Sequence, residues 1–143
     1  MPFRYLEDVA IADVAFEAWG ATLDELFIAS SEATLQVMVA ESASVAARVR
    51  REVHLEAEAI DLLLFEVLQE LIFFKDAERL LLRLLETNIE KQGDGWMLTA
   101  VLGGEPINPD RHELLVDVKA VTLHRFHVEP FEGGWKALVI LDI

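Results

Sequence analysis

The chain has 143 residues, 53% of them hydrophobic, enough for one domain, or two small interlocked modules, to bury a shared core. Twelve lysines and arginines against twenty-six aspartates and glutamates leave a net charge of −14, which repels phosphate backbones and anionic lipid and argues against direct binding to nucleic acid or membrane. No cysteine is present, so disulfides and thiolate metal sites are excluded.

The start, Met1-Pro2-Phe3-Arg4-Tyr5-Leu6-Glu7-Asp8, has no apolar run of the kind a secretory signal needs. Apolar runs such as Leu62 to Phe65 fall far short of the ~20 residues of a bilayer span, so a cytoplasmic protein is expected. From Val9 to Trp19 a mostly apolar stretch closed by Gly20 predicts a strand. Thr22-Leu23-Asp24-Glu25 is a capping-box sequence, and Leu26, Phe27, Ala33, Val37 and Met38 follow at helical spacing, which predicts a helix from about Leu23 to Ala40.

Ser42 and Ser44 mark a loop, after which Val49, Val53 and Leu55 alternate with polar neighbours as in a half-buried strand. Ile60, Leu63, Leu64, Val67, Leu68, Leu71 and Ile72 form the stripe of a second helix, closed by Lys75-Asp76. Gln92-Gly93-Asp94-Gly95 and Glu132-Gly133-Gly134 then each join two extended runs as hairpins, with Gly103 to Asp110 as a wider loop between them. The order of elements predicts an α+β fold in which two helices pack on mainly antiparallel sheet. A strand-helix-strand-strand unit from about Val45 to Leu102 is nested inside a second unit, whose first and last strands share a sheet.

Asp13 and Asp142 are lone carboxylates in apolar strands. A buried carboxylate without a partner is costly, so each is exposed, paired with a cation, or bound to a metal. With the chain end at Ile143, three carboxylates converge if the outer strands meet, and such oxygen donors suit calcium or magnesium. The alternative is a solvated strand end. Lys119 is a charge in an extended run and fits either an ion pair with those aspartates, a contact with a partner's anion, or a lysine on a solvent face. His54, His112, His124 and His127 form no zinc motif, and His124 and His127 fall on opposite sides of one strand unless a bulge intervenes. They are expected to be surface or satisfied structural residues. No nucleophile elbow, phosphate loop or acid–base pair is present, so no enzyme is expected. A metal-dependent hydrolase using Asp13 and Asp142 is the weaker alternative.

The segment Arg111-His112-Glu113-Leu114-Leu115-Val116-Asp117-Val118-Lys119-Ala120-Val121-Thr122-Leu123-His124, the final Asp142-Ile143, and Ala12-Asp13-Val14 with Trp19-Gly20 together resemble the archease family. The resemblance covers nearly the whole chain and implies a single domain over 1–143. It further implies a non-catalytic accessory protein that binds a divalent cation and stimulates guanylation and turnover of an RtcB-type RNA ligase in tRNA splicing or RNA repair. On that pattern Asp13, Asp142 and Ile143 are the metal-binding residues and Lys119 the functional lysine. Val9-Ala10-Ile11 stand where the family pattern carries an acidic residue, His and Thr, which removes polar groups that would orient metal ligands. A chaperone-like binding module without ligase activation is the other reading.

Overall fold

In the computed structural model, which describes residues 2–7 and 13–143, two helices lie against two antiparallel sheets. The elements are β1 (Phe3–Leu6), β2 (Asp13–Gly20), α1 (Leu23–Met38), a 3-10 turn (Ser42–Ser44), β3 (Val49–Ala57), α2 (Ile60–Glu78), β4 (Leu80–Gln92), β5 (Gly95–Pro106), β6 (Ala120–Phe131) and β7 (Gly134–Asp142). One sheet runs β1-β2-β7-β6 and the other β3-β5-β4, all pairs antiparallel. The unit β3-α2-β4-β5 is therefore nested inside β2-α1-β6-β7, as the order of elements predicts. The first predicted strand is seen from Asp13 onward, and its expected start at Val9 lies outside the described residues.

Local chemistry explains the helix bounds. Thr22 Oγ1 accepts the Glu25 amide at 3.2 Å and so caps α1, while the Glu25 carboxylate reaches back one residue beyond the cap to accept the Ala21 amide at 2.7 Å, a variant of the predicted capping box. The helix stops at Met38, short of the predicted Ala40, because Val39 turns extended and bridges to Leu114. The second helix continues past Lys75-Asp76 to Glu78 and ends where Arg79 takes the left-handed conformation at φ 54°. Its buried face is the predicted stripe of Leu63, Leu64, Val67, Leu68, Leu71 and Ile72.

Both hairpins form. Glu132 and Gly133 have φ of 48° and 80°, the pair of positive values that a two-residue type I′ turn requires. The predicted loop at Gly103-Gly104-Glu105-Pro106 is instead the end of β5. These glycines serve close approach rather than a turn: a Cβ at Gly104 would fall on the Leu81 carbonyl of β4, and one at Gly103 on the Leu85 side chain. The edge strand β1 is an addition to the predicted elements, held by the register Phe3–Ala18 to Leu6–Ala15 and by Arg4 against Glu17 at 2.6 Å.

Each helix touches both sheets: α1 packs on β2 and β4, and α2 on β3, β4, β5 and β6. Phe16, Leu26, Phe27, Leu35, Leu63, Leu64, Leu68, Leu98 and Leu102 are fully buried between them and form one continuous core. Among the described residues no helix is long and apolar enough to cross a membrane.

Candidate metal and partner site

Strand β7 lies between β2 and β6, and the register sets Asp142 directly opposite Asp13 on one side and Ala120 on the other. Directly opposed residues of an antiparallel pair project to the same face with Cβ atoms about 4.5–5.5 Å apart. The two carboxylates are therefore neighbours, both half-buried, at the end of the sheet. Like charges so placed repel one another, and a cation between them removes the repulsion. Lys119 precedes β6, and its amide donates to the Asp142 carbonyl at 2.8 Å. Its side chain is exposed and makes no salt bridge among the described residues, so the ion pair with an aspartate is not formed. Ile143 is half-buried with its side chain packed on the core, the alternation expected one residue beyond Asp142.

The donor set fits a hard cation. It is all oxygen, and the Thr122 hydroxyl, on the same face of β6 as Ala120 by register, is buried with no hydrogen-bond partner among the described residues. Among the described residues no group of three His, Cys, Asp or Glu side chains could hold a metal, so the aspartate pair needs donors beyond side chains of those types. The family-pattern departure at Val9-Ala10-Ile11 lies outside the described residues.

Two groups, whose pairings the sequence does not announce, hold the Lys119 segment in place. Lys75, 6% exposed, donates to the Val118 carbonyl at 2.6 Å, to Asp76 at 2.9 Å, and to the Asp117 carboxylate. Gln69 of the same helix accepts the Val121 amide at 2.9 Å. The signal for Lys75 was its spacing: it follows Leu71 by four residues and Ile72 by three, on the buried face where a lysine requires a partner.

The second group locks the start of that segment. His112 is 2% exposed; its Nδ1 accepts the Asn108 amide at 3.0 Å, so Nε2 carries the proton and donates to Glu105 at 2.8 Å. Burial opposes ionisation of Glu105, but hydrogen bonds from His112 and the Ala46 amide and the charge of Arg111 outweigh it and hold the carboxyl below its ordinary range. His112 is thus a satisfied structural histidine. His54 and His124 are exposed and His127 half-buried. The exception allowed for His124 and His127 occurs: β6 is bulged between Thr122 and His127, with Arg125 at φ 58°, so strand parity does not fix their sides.

The model of the archease protein family matches residues 3–143. The chain belongs to the archease family. It is 34% identical to the protein archease of Methanopyrus kandleri, with all of both chains covered, and 36% identical to that of Pyrococcus abyssi over 92% of this chain and 93% of the relative. A Methanobacterium thermoautotrophicum protein solved in solution superimposes with a TM-score of 0.85 at 34% identity over 99% of both chains. The crystal structure of a Thermotoga maritima protein, described as "an archease, possible chaperone", has the same fold, with a TM-score of 0.60 at 18% identity over 98% of this chain and 100% of that one. For this archease-family chain the Asp13–Asp142 pairing at the meeting of the first and last long strands is the feature on which a functional reading turns.

Proposed function

We propose that this archease-family chain is a cytoplasmic, non-catalytic accessory protein that binds calcium or magnesium at Asp13 and Asp142, and stimulates an RtcB-type RNA ligase. In a chain ending at Ile143 the terminal carboxylate supplies a further oxygen donor. The observation that carries the reading is the direct opposition of two carboxylates on one sheet face beside the Lys119 segment. A bound cation would neutralise that pair, fix the end of the sheet, and keep Lys119 presented to an anionic group on the partner. The net charge of −14 favours a basic protein over RNA as the direct partner.

A multiple-turnover RNA-joining assay tests this, with an RtcB-type ligase from the same organism, GTP and manganese. Added protein is expected to accelerate guanylation and turnover, and Lys119→Ala or Asp142→Ala to abolish the effect while the fold is kept. Unchanged joining with and without the protein would sink the ligase role. The second reading, a chaperone-like binding module, draws on the description of the Thermotoga maritima relative and on the exposed apolar triplet Leu114-Leu115-Val116. It would gain from binding of a client protein with no change in joining.

A further inference from the structure

Between Arg111 and Ala120 the chain crosses the end of α1 as an open edge. The Ala40 amide donates to the Glu113 carbonyl and the Leu115 amide to the Met38 carbonyl, each at 2.9 Å, with Val39 and Leu114 as antiparallel bridge partners. In such a ladder, successive residues turn their N–H and C=O groups to alternate sides. Those of Leu114 therefore point away from Val39, and where the chain runs on extended past Leu115 the same alternation turns the Val116 amide to that side. Neither the Leu114 backbone groups nor the Val116 amide has a backbone partner among the described residues. Leu114, Leu115 and Val116 are 44%, 52% and 43% exposed, so both faces of this edge carry uncovered apolar side chains.

An unpaired apolar edge is a template for strand addition. We infer that Glu113 to Asp117 is a docking strand that captures an extended segment of a partner protein, apolar at its centre and basic at its flanks. Charge selects that occupant. Glu113 and Asp117 bracket the apolar triplet, so a second copy pairing antiparallel about Leu115 would set Glu113 of one chain against Asp117 of the other, and directly opposed like charges destabilise. Lysine or arginine at those two places converts both contacts into opposite-charge pairs. The Asp117 side chain is 69% exposed and stays available although Lys75 holds it from below. The chain's −14 charge adds long-range attraction for a basic segment and none for a second copy.

The experiment is a nuclear magnetic resonance titration of the isotope-labelled full chain, without any ligase, so its outcome is independent of the ligase reading. The probe is a short synthetic peptide of valines and isoleucines flanked by lysines. Amide shifts are expected at residues 113–117 and in the paired 38–40 segment, with binding about tenfold weaker when the flanks are glutamate. Val116→Pro removes an outward donor that has no internal partner and is expected to abolish binding. Peptide with N-methylated amides, tested on the unaltered chain, is expected to fail as well. Unmoved resonances at 113–117, equal affinity for both flanking charges, or a dimer in sedimentation that Val116→Pro dissolves would each overturn the inference.

Discussion

Lys75 Nζ donates to the carbonyl of Val118 at 2.6 Å, and the next residue, Lys119, donates its amide to the carbonyl of Asp142 at 2.8 Å. A buried lysine at the end of α2 is thereby coupled through one peptide to the strand end that carries the paired aspartates. Lys75→Met fills the same volume but leaves the Val118 carbonyl without its donor, which costs about 1–3 kcal/mol in a denaturant titration. Hydrogen exchange at the Lys119 amide is expected to accelerate, with β2–β7 amides little changed. Equal loss of protection across the whole sheet would show Lys75 to be a general stabiliser and not a strut for this segment.

Tyr5 is the chain's one tyrosine, and its hydroxyl donates to the Ala33 carbonyl at 2.7 Å. Burial, and secondarily the negative charge of Glu32, push its pKa up to about 12 from 10.0. The neutral form is the one that folding favours, so this contribution is complete below pH 10.0 and is lost as the pH rises through about 12. Phenolate absorption is expected to appear near pH 12 in the folded protein and near 10 in denaturant. A midpoint near 10 under native conditions would mean that β1 does not hold Tyr5 against α1.

Acid sensitivity follows from carboxylates held ionised. Glu105 is lowered as described; Glu17 is lowered chiefly by its hydrogen bond from Lys136, with Arg4 adding to it against the effect of burial. In Glu32 burial pulls the other way, but the hydrogen bond from Arg83 prevails. Since all three fold with pKa values below the ordinary 4.5, their contribution is present above that pH and lost as the pH falls through the lowered values. Glu105→Gln is expected to lower stability at neutral pH and to flatten the fall below pH 4.5, measured as denaturant midpoints across pH. An unchanged acid limb in that variant would count against the buried cluster as its source.

The parts of the fold that local chemistry dictates were legible. Thr22 and Glu25 announced α1, and the apolar stripe from Leu63 to Ile72 announced α2. Hairpin glycines placed two of the pairings, and the meeting of the first and last long strands followed from the nested order. What escaped depended on contacts distant in sequence. Gly103 and Gly104 read as a turn because glycine signals both a turn and close approach, and only the positions of Leu85 and Leu81 on β4 decide between them. Glu105 and His112 could not be joined from their spacing alone, since they meet only where the chain leaves β5 and turns through Asn108. Four residues of β1 are too few to show a period, and their register is set by β2.

Asp13 opposite Asp142 yields a prediction that separates a cation site from a solvated strand end. Two carboxylates directly across a strand pair destabilise the metal-free protein relative to an uncharged pair. Asp13→Asn removes that repulsion while keeping the shape, so without divalent cations the variant is expected to be equally or slightly more stable than the native chain. Adding calcium or magnesium is expected to raise the melting temperature of the native chain with ligand concentration, since a cation that binds only the folded state stabilises it by mass action, and to leave Asp13→Asn unmoved. Asp142→Asn should behave in the same way, because either substitution removes one of the two opposed carboxylates between which the cation sits. If both variants still respond to calcium as the native chain does, the cation binds elsewhere and the aspartates are a solvated strand end.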